Sequence, residues 1–139
     1  MSTQTKAQKI TYWIATLWLS LGMASTGIIQ LIHQPEEVKN ITQLGYPVYF
    51  LTILGIWKLL GVIAVLIPRT PLLKEWAYAG FFFAMTGAAA SRLLAGDGIA
   101  LILPCLLLLT LTLLSYYFRP ATRKVQQAIQ VQQKIVHAA

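Results

Sequence analysis

Four runs of apolar residues, at about 10–32, 47–67, 76–95 and 99–118, constrain the fold more than anything else in the chain. Each is roughly 20 residues long, the length at which a helix rising 1.5 Å per residue covers the ~30 Å hydrocarbon layer of a bilayer. The chain has 139 residues, 57% of them hydrophobic and 11% charged. Soluble domains carry roughly 25% charged residues, so a globule of this size in water could not hide so much apolar surface. In lipid every backbone polar group must be satisfied within its own segment, which makes each run a helix. The expectation is an all-α, four-transmembrane-helix bundle over residues 1–120, with short loops and a basic tail at 121–139.

The separators carry turn chemistry: Pro35, "GYP" at 45–47, "PRTP" at 68–71 and "GDG" at 96–98. The last is short enough to make the third and fourth spans antiparallel neighbours. Pro104 falls in the first turns of the fourth span, where it bends rather than breaks the helix. The basic opening "MSTQTKAQK" precedes an apolar run about twice the length of a signal-peptide core, so it reads as a retained first span.

Of the eleven Lys and Arg, eight fall at the N-terminus, in the second loop and in the tail, against Lys39 and Arg92 on the opposite side. The positive-inside bias places both termini in the cytoplasm, with the first loop and "GDG" outside. The tail spaces Val125, Ala128, Ile129, Ile135 and Val136 at helical intervals, as an amphipathic helix on an anionic leaflet would, although a frayed solvated end fits as well. The net charge of +7 sits where membrane topology demands it, so nucleic acid is not an expected partner.

Chemistry-bearing residues are few. A single cysteine, Cys105, excludes an intrachain disulfide or dithiol relay, and His33 and His137 lie outside the apolar cores, leaving no ligand pair for a haem within the bilayer. No metal, phosphate-loop or nucleophile motif occurs, and no catalytic residues are assigned.

The exception is Lys58 in "LGIWKLLGVIAVLIP", about 15 Å from either end of its span. An amine facing lipid at that depth costs about 2.5–3.5 kcal/mol, and its stem is too short to reach the interface, so it should face the bundle interior. Gly55 and Gly61 flank it on the same helical face. Gly80, Ala84, Gly87 and Ser91 form a small-residue seam on the third span, and Thr16, Ser20, Ala24 and Gly27 form one on the first, so three helices are expected to pack tightly around Lys58.

No acid lies within a span, which leaves three ways to accommodate the amine. It is uncharged, hydrated in a cavity with hydrogen bonds to Thr, Ser and carbonyls, or paired with an acidic group or anionic ligand reaching in from outside. Candidate ligand-binding residues are Lys58, Trp57, Gly55, Gly61, Gly87 and Ser91. Trp57 either packs against lipid or lines a pocket. A second, outward polar cluster comprises His33, Glu36, Glu37, Arg92 and Asp97, readable as local salt bridges and caps or as a ligand-facing group.

At "HQPEE", "QLGYPVYFLTILGIWKLLGVIAVLIP", "LKEWAYAGFFF" and "TGAAASRLLAGDG" the chain resembles the DoxX-like family of small bacterial membrane proteins, from about residue 10 to 120. Gly45, Tyr46, Pro47, Trp57, Lys58, Gly61, Lys74, Glu75, Trp76 and Gly87 match the recurring pattern. The resemblance implies a four-helix bundle in a bacterial inner membrane. The family name descends from similarity to a small subunit of a quinol-oxidising complex, and other relatives look like assembly factors. Where similar sequences often carry an acidic or amide residue and a histidine, this chain has Ala84 and Arg92, which weakens any proton relay built on them.

Three functions follow as expectations. The first is a non-enzymatic accessory or assembly subunit with a membrane-protein partner or a second copy of itself. The second is a component binding a quinone, a lipid or another lipophilic ligand in a redox system. The third, a small transporter, is disfavoured because the first span has no acid. With no cofactor bound covalently, independent catalysis is not expected.

Overall fold

A computed structural model describes residues 4–120 and 124–139, with side chains for all of these except 125–128. Among the described residues the chain is wholly helical: α1 (Lys6–Leu31), α2 (Pro35–Gln43), α3 (Tyr49–Leu66), α4 (Pro71–Leu94), α5 (Ile99–Tyr117) and α6 (Val125–Ala138). Thr5 caps α1 by accepting from the Gln8 amide at 3.3 Å while the Gln8 side chain accepts from the Thr5 amide, a reciprocal capping box. Proline opens both α2 and α4, where the missing N–H would be unpaired in any case. Gly45 and Gly96 close α2 and α4 with φ of 87° and 80°, a conformation that side chains with a Cβ disfavour. Pro104 stays inside α5 without ending it.

Helices α1, α3 and α5 are long and apolar enough to cross a membrane. The third expected span appears as α4, at 24 residues long enough for the task. It is not among the helices apolar enough to cross, and Lys74, Ala77, Tyr78, Phe81 and Met85 make up its buried face. The first loop differs from expectation too, since nine of its residues form α2. The tail helix exists as α6, with Ile129, Val131, Ile135 and Val136 exposed. Residues 121–123 and the side chains of Val125 and Ala128 lie outside the described ones.

The long helices pack in the cyclic order α1, α3, α4, α5, each touching the next and α5 returning to α1. They run alternately up and down. Ile32 and His33 follow α1 beside the start of α3, where His33 Nε2 meets Thr52 Oγ1 at 2.8 Å, and Gln4 donates from the start of α1 to the Phe118 carbonyl after α5 at 2.9 Å.

The surface and the interior are reversed relative to a soluble protein. Trp18, Leu21, Trp57, Phe83, Leu101 and Leu107 are exposed, whereas Thr16, Ser20, Lys58, Lys74, Thr112, Ser115 and Arg119 are buried. Water would penalise that apolar surface and hydrocarbon would not. Inside, Leu19, Met23, Val65, Ala77, Tyr78, Phe81 and Met85 form the apolar core.

Candidate functional site

Lys58 is 8% exposed and points inward, as its depth in the sequence requires. Glycine makes this possible. An added Cβ at Gly55 would stand 2.7 Å from the Gly27 carbonyl oxygen, and one at Gly27 would stand 3.3 Å from Lys58 Cβ, so α1 and α3 cross in contact here. The crossing brings Lys58 Nζ to Thr26 Oγ1, to which it donates at 3.3 Å. The Thr26 hydroxyl donates in turn to the Gly22 carbonyl at 2.9 Å, which leaves a lone pair for the amine.

On its other side Lys58 faces a cavity of about 400 Å³ bounded by α1 to α5. Polar groups ring it: Thr26 and Gln30 from α1, Glu37 and Asn40 from α2, Tyr46 before α3, and Ser91 and Arg92 from α4. Tyr46 and Ser91 are joined through their hydroxyls at 2.8 Å, and Arg92 is held by Asp97 at 3.3 Å, so these two pairs stand at the outer end. Phe83 and Leu101, both exposed to the exterior, edge the cavity between α4 and α5.

Two groups here lack partners that their chemistry calls for. A lysine ammonium has three donors, and among the described residues Lys58 uses one, on Thr26. Gln30 is 8% exposed, and its Oε1, sealed from the cavity, accepts no hydrogen bond among the described residues. Glu37 lines the same cavity and is the carboxylate that acts electrostatically on Lys58, without an ion pair between them.

The small-residue seam of α4 plays a different part from the one expected. Added Cβ atoms at Gly80 and Gly87 would meet nothing within 4 Å, so α4 stands off from Lys58 instead of packing against it. Gly87 and Ser91 line the polar cavity; Gly61 makes room for the Phe81 ring, which an added Cβ would approach to 2.6 Å. The tight three-helix enclosure is therefore a two-helix crossing with open space on the third side. Trp57 is 65% exposed and lines an outer groove, not the cavity. His33 bonds Thr52, and His33, Glu36 and Asp97 contribute no surface to the cavity; of the outward cluster Glu37 and Arg92 do.

Sequence reading missed Thr26, Gln30, Asn40 and Tyr46, because amide and hydroxyl residues near helix ends carry no distinguishing pattern until α2 folds back over the cavity. It also missed a polar cluster at the opposite end. Lys74 is wholly buried and donates to the Ala64 carbonyl at 2.9 Å and to that of Ile67, satisfying the last carbonyls of α3. Arg119 pairs with Glu75 at 2.6 Å and lies over the Tyr116 ring at 4.2 Å. Above them the Ser115 hydroxyl meets Thr16 at 2.6 Å and Tyr78 at 2.7 Å, tying α1, α4 and α5 together. Lys74 and Arg119 count as topology signals in the sequence; in the fold they are internal braces.

A family model described as DoxX-like matches residues 14–114, which takes in most of α1, all of α2 to α4 and most of α5. The chain belongs to the DoxX-like family. With three helices apolar enough to cross a bilayer, this DoxX-like protein is a membrane protein. No curated protein and no solved structure matches it.

Proposed function

We propose that this DoxX-like protein is a four-span inner-membrane protein of bacteria, both termini cytoplasmic, that binds a lipophilic molecule by its polar head group in the Lys58 cavity. Support for α4 as the fourth span comes from its place in the ring between α3 and α5, both of which are apolar enough to cross. The observation that carries the binding reading is the Lys58 amine, with donors to spare, on the wall of a cavity of about 400 Å³. Leaving such a donor unpaired in a low-dielectric interior costs about 1–3 kcal/mol, which a head group carrying an acceptor removes.

A quinone or quinol head fits that requirement. Its oxygens can accept from Lys58, and a volume of about 400 Å³ falls within the range of small-molecule sites. Such a group brings the redox chemistry when bound; the chain holds and orients it, with the Tyr46–Ser91 and Arg92–Asp97 pairs at its outer side. The protein is then the ligand-binding component of a larger redox system. The accessory-subunit reading draws on small-residue seams and polar loops; Gly27, Gly55 and Gly61 are filled within the chain, whereas Gly80 and Gly87 of α4 remain open.

Purification of the wild type and Lys58→Met in mild detergent, followed by mass spectrometry of co-purified quinones and lipids, tests the reading. A head-group-bearing ligand should accompany the wild type and be lost from the variant. Identical extracts from two equally folded proteins would refute it.

A further inference from the structure

Lys58 borders a second space. Between α3 and α4 a groove of about 630 Å³ opens on the outer face, with Trp57 and Trp76 at its rim and Gly61 and Gly80 among its lining. Its other walls are aliphatic or aromatic, and Lys58 is the one charged residue among them. Leu54, Lys58 and Ala84 line both spaces, so the polar cavity and the apolar groove adjoin at Lys58. From there they diverge. The cavity leads toward Tyr46 and Arg92, at the start of α3 and the end of α4, while the groove follows α3 down to Ile67, beside the start of α4. From Leu54 to Ile67 the groove covers roughly 20 Å of helix at 1.5 Å per residue, a length suited to an extended hydrocarbon chain and not to a ring.

We infer that the ligand is an amphiphile whose head occupies the polar cavity and whose hydrocarbon chain leaves past Lys58 into the α3–α4 groove. This rests on the binding reading given above and adds the shape of the ligand. Gly61 and Gly80 are what keep the groove open: Gly61 lets Phe81 lie close against α3, and Gly80 has no atom within 4 Å of the place where a Cβ would stand. Bilayer and groove are both apolar, so the groove's gain over lipid is close packing of its walls around the chain, contacts that disordered acyl chains do not hold in place.

The test uses the full chain in lipid nanodiscs, with resorcinol as a head group without a tail and decylresorcinol as the tailed form. Protection of Cys105, which lines the cavity and is partly buried, from maleimide reports occupancy of the head site. Gly80 lies outside that cavity, and Gly80→Leu fills the groove without a clash at Cβ. In Gly80→Leu, decylresorcinol should protect about tenfold less well than in wild type, matching an overpacking penalty of ~1–3 kcal/mol, while resorcinol protects equally in both. Decylresorcinol protection unchanged by Gly80→Leu, or lost together with that of resorcinol, overturns the inference. Failure of either ring compound to protect wild-type Cys105 would remove the binding reading as well.

A second readout does not depend on the variant. In a protein with Trp13 and Trp18 replaced by Phe, a bromine-bearing decyl tail should quench Trp57 and Trp76 saturably at stoichiometric ratio. Quenching that rises without saturation, as from bystander lipid, would place the tail elsewhere and defeat the inference.

Discussion

Replacing Gly55 by Ala should loosen the α1–α3 crossing on which the Lys58 site depends. The new Cβ would lie 2.7 Å from both the Gly27 carbonyl oxygen and Leu31 Cγ, and ordinary contact begins at 3.4 Å, so α1 has to retreat by about 0.7 Å. The obstructing oxygen belongs to helical backbone and cannot rotate away. Overpacking of this kind costs about 1–3 kcal/mol, while alanine recovers about 0.5–1 kcal/mol over glycine as a helix former, leaving a net loss of about 1–2 kcal/mol. The same retreat lengthens the 3.3 Å bond from Lys58 to Thr26 beyond hydrogen-bonding range. Thermal unfolding in mild detergent, followed by far-ultraviolet circular dichroism, should show a lowered Tm for Gly55→Ala. Gly80→Ala serves as the control: with open space at its Cβ it keeps the propensity gain and should be neutral or stabilised by up to about 1 kcal/mol. A Gly55→Ala protein as stable as Gly80→Ala would mean that the two helices do not meet at Gly27 and Gly55.

Other expectations follow from the opposite end of the bundle and from topology. Glu75→Ala strips the carboxylate from Arg119, which is 3% exposed, and should lower stability by about 2–4 kcal/mol, whereas Glu75→Gln keeps one hydrogen bond and should lose less; equal Tm values for the two variants would argue against a structural ion pair. Tyr78→Phe removes the hydroxyl that links α4 to Ser115 and should cost about 1 kcal/mol in the same melt, with no loss indicating that Thr16 alone suffices for Ser115. Single cysteines placed at positions 5, 40, 70 and 97 should react with an impermeant maleimide from the cytoplasm at 5 and 70 and from outside at 40 and 97. Cytoplasmic labelling at 40 would reverse the proposed orientation.

The sequence by itself determined the helical class, the approximate bounds of the four long helices, the turns at Gly45 and Gly96, and the inward direction of Lys58. All of these follow from local chemistry: the length of an apolar run, the freedom of glycine at positive φ, and the penalty for an amine in hydrocarbon. Even Gly55 is legible this way, since a glycine one turn from a buried lysine on the same face invites another backbone.

Only the tertiary structure decided what the small residues are for. Gly55 and Gly80 look alike in sequence, yet one is filled by the backbone of α1 and the other lines an open groove, a difference set by which helix lies opposite. Likewise Lys74 and Arg119 carry the charge pattern of a loop, but partners on other helices, the end of α3 for one and Glu75 of α4 for the other, draw them inside. Residue type records the free energy of transfer from water; which neighbour supplies the compensating hydrogen bond or void is a property of the packed helices, and that choice made the cavity.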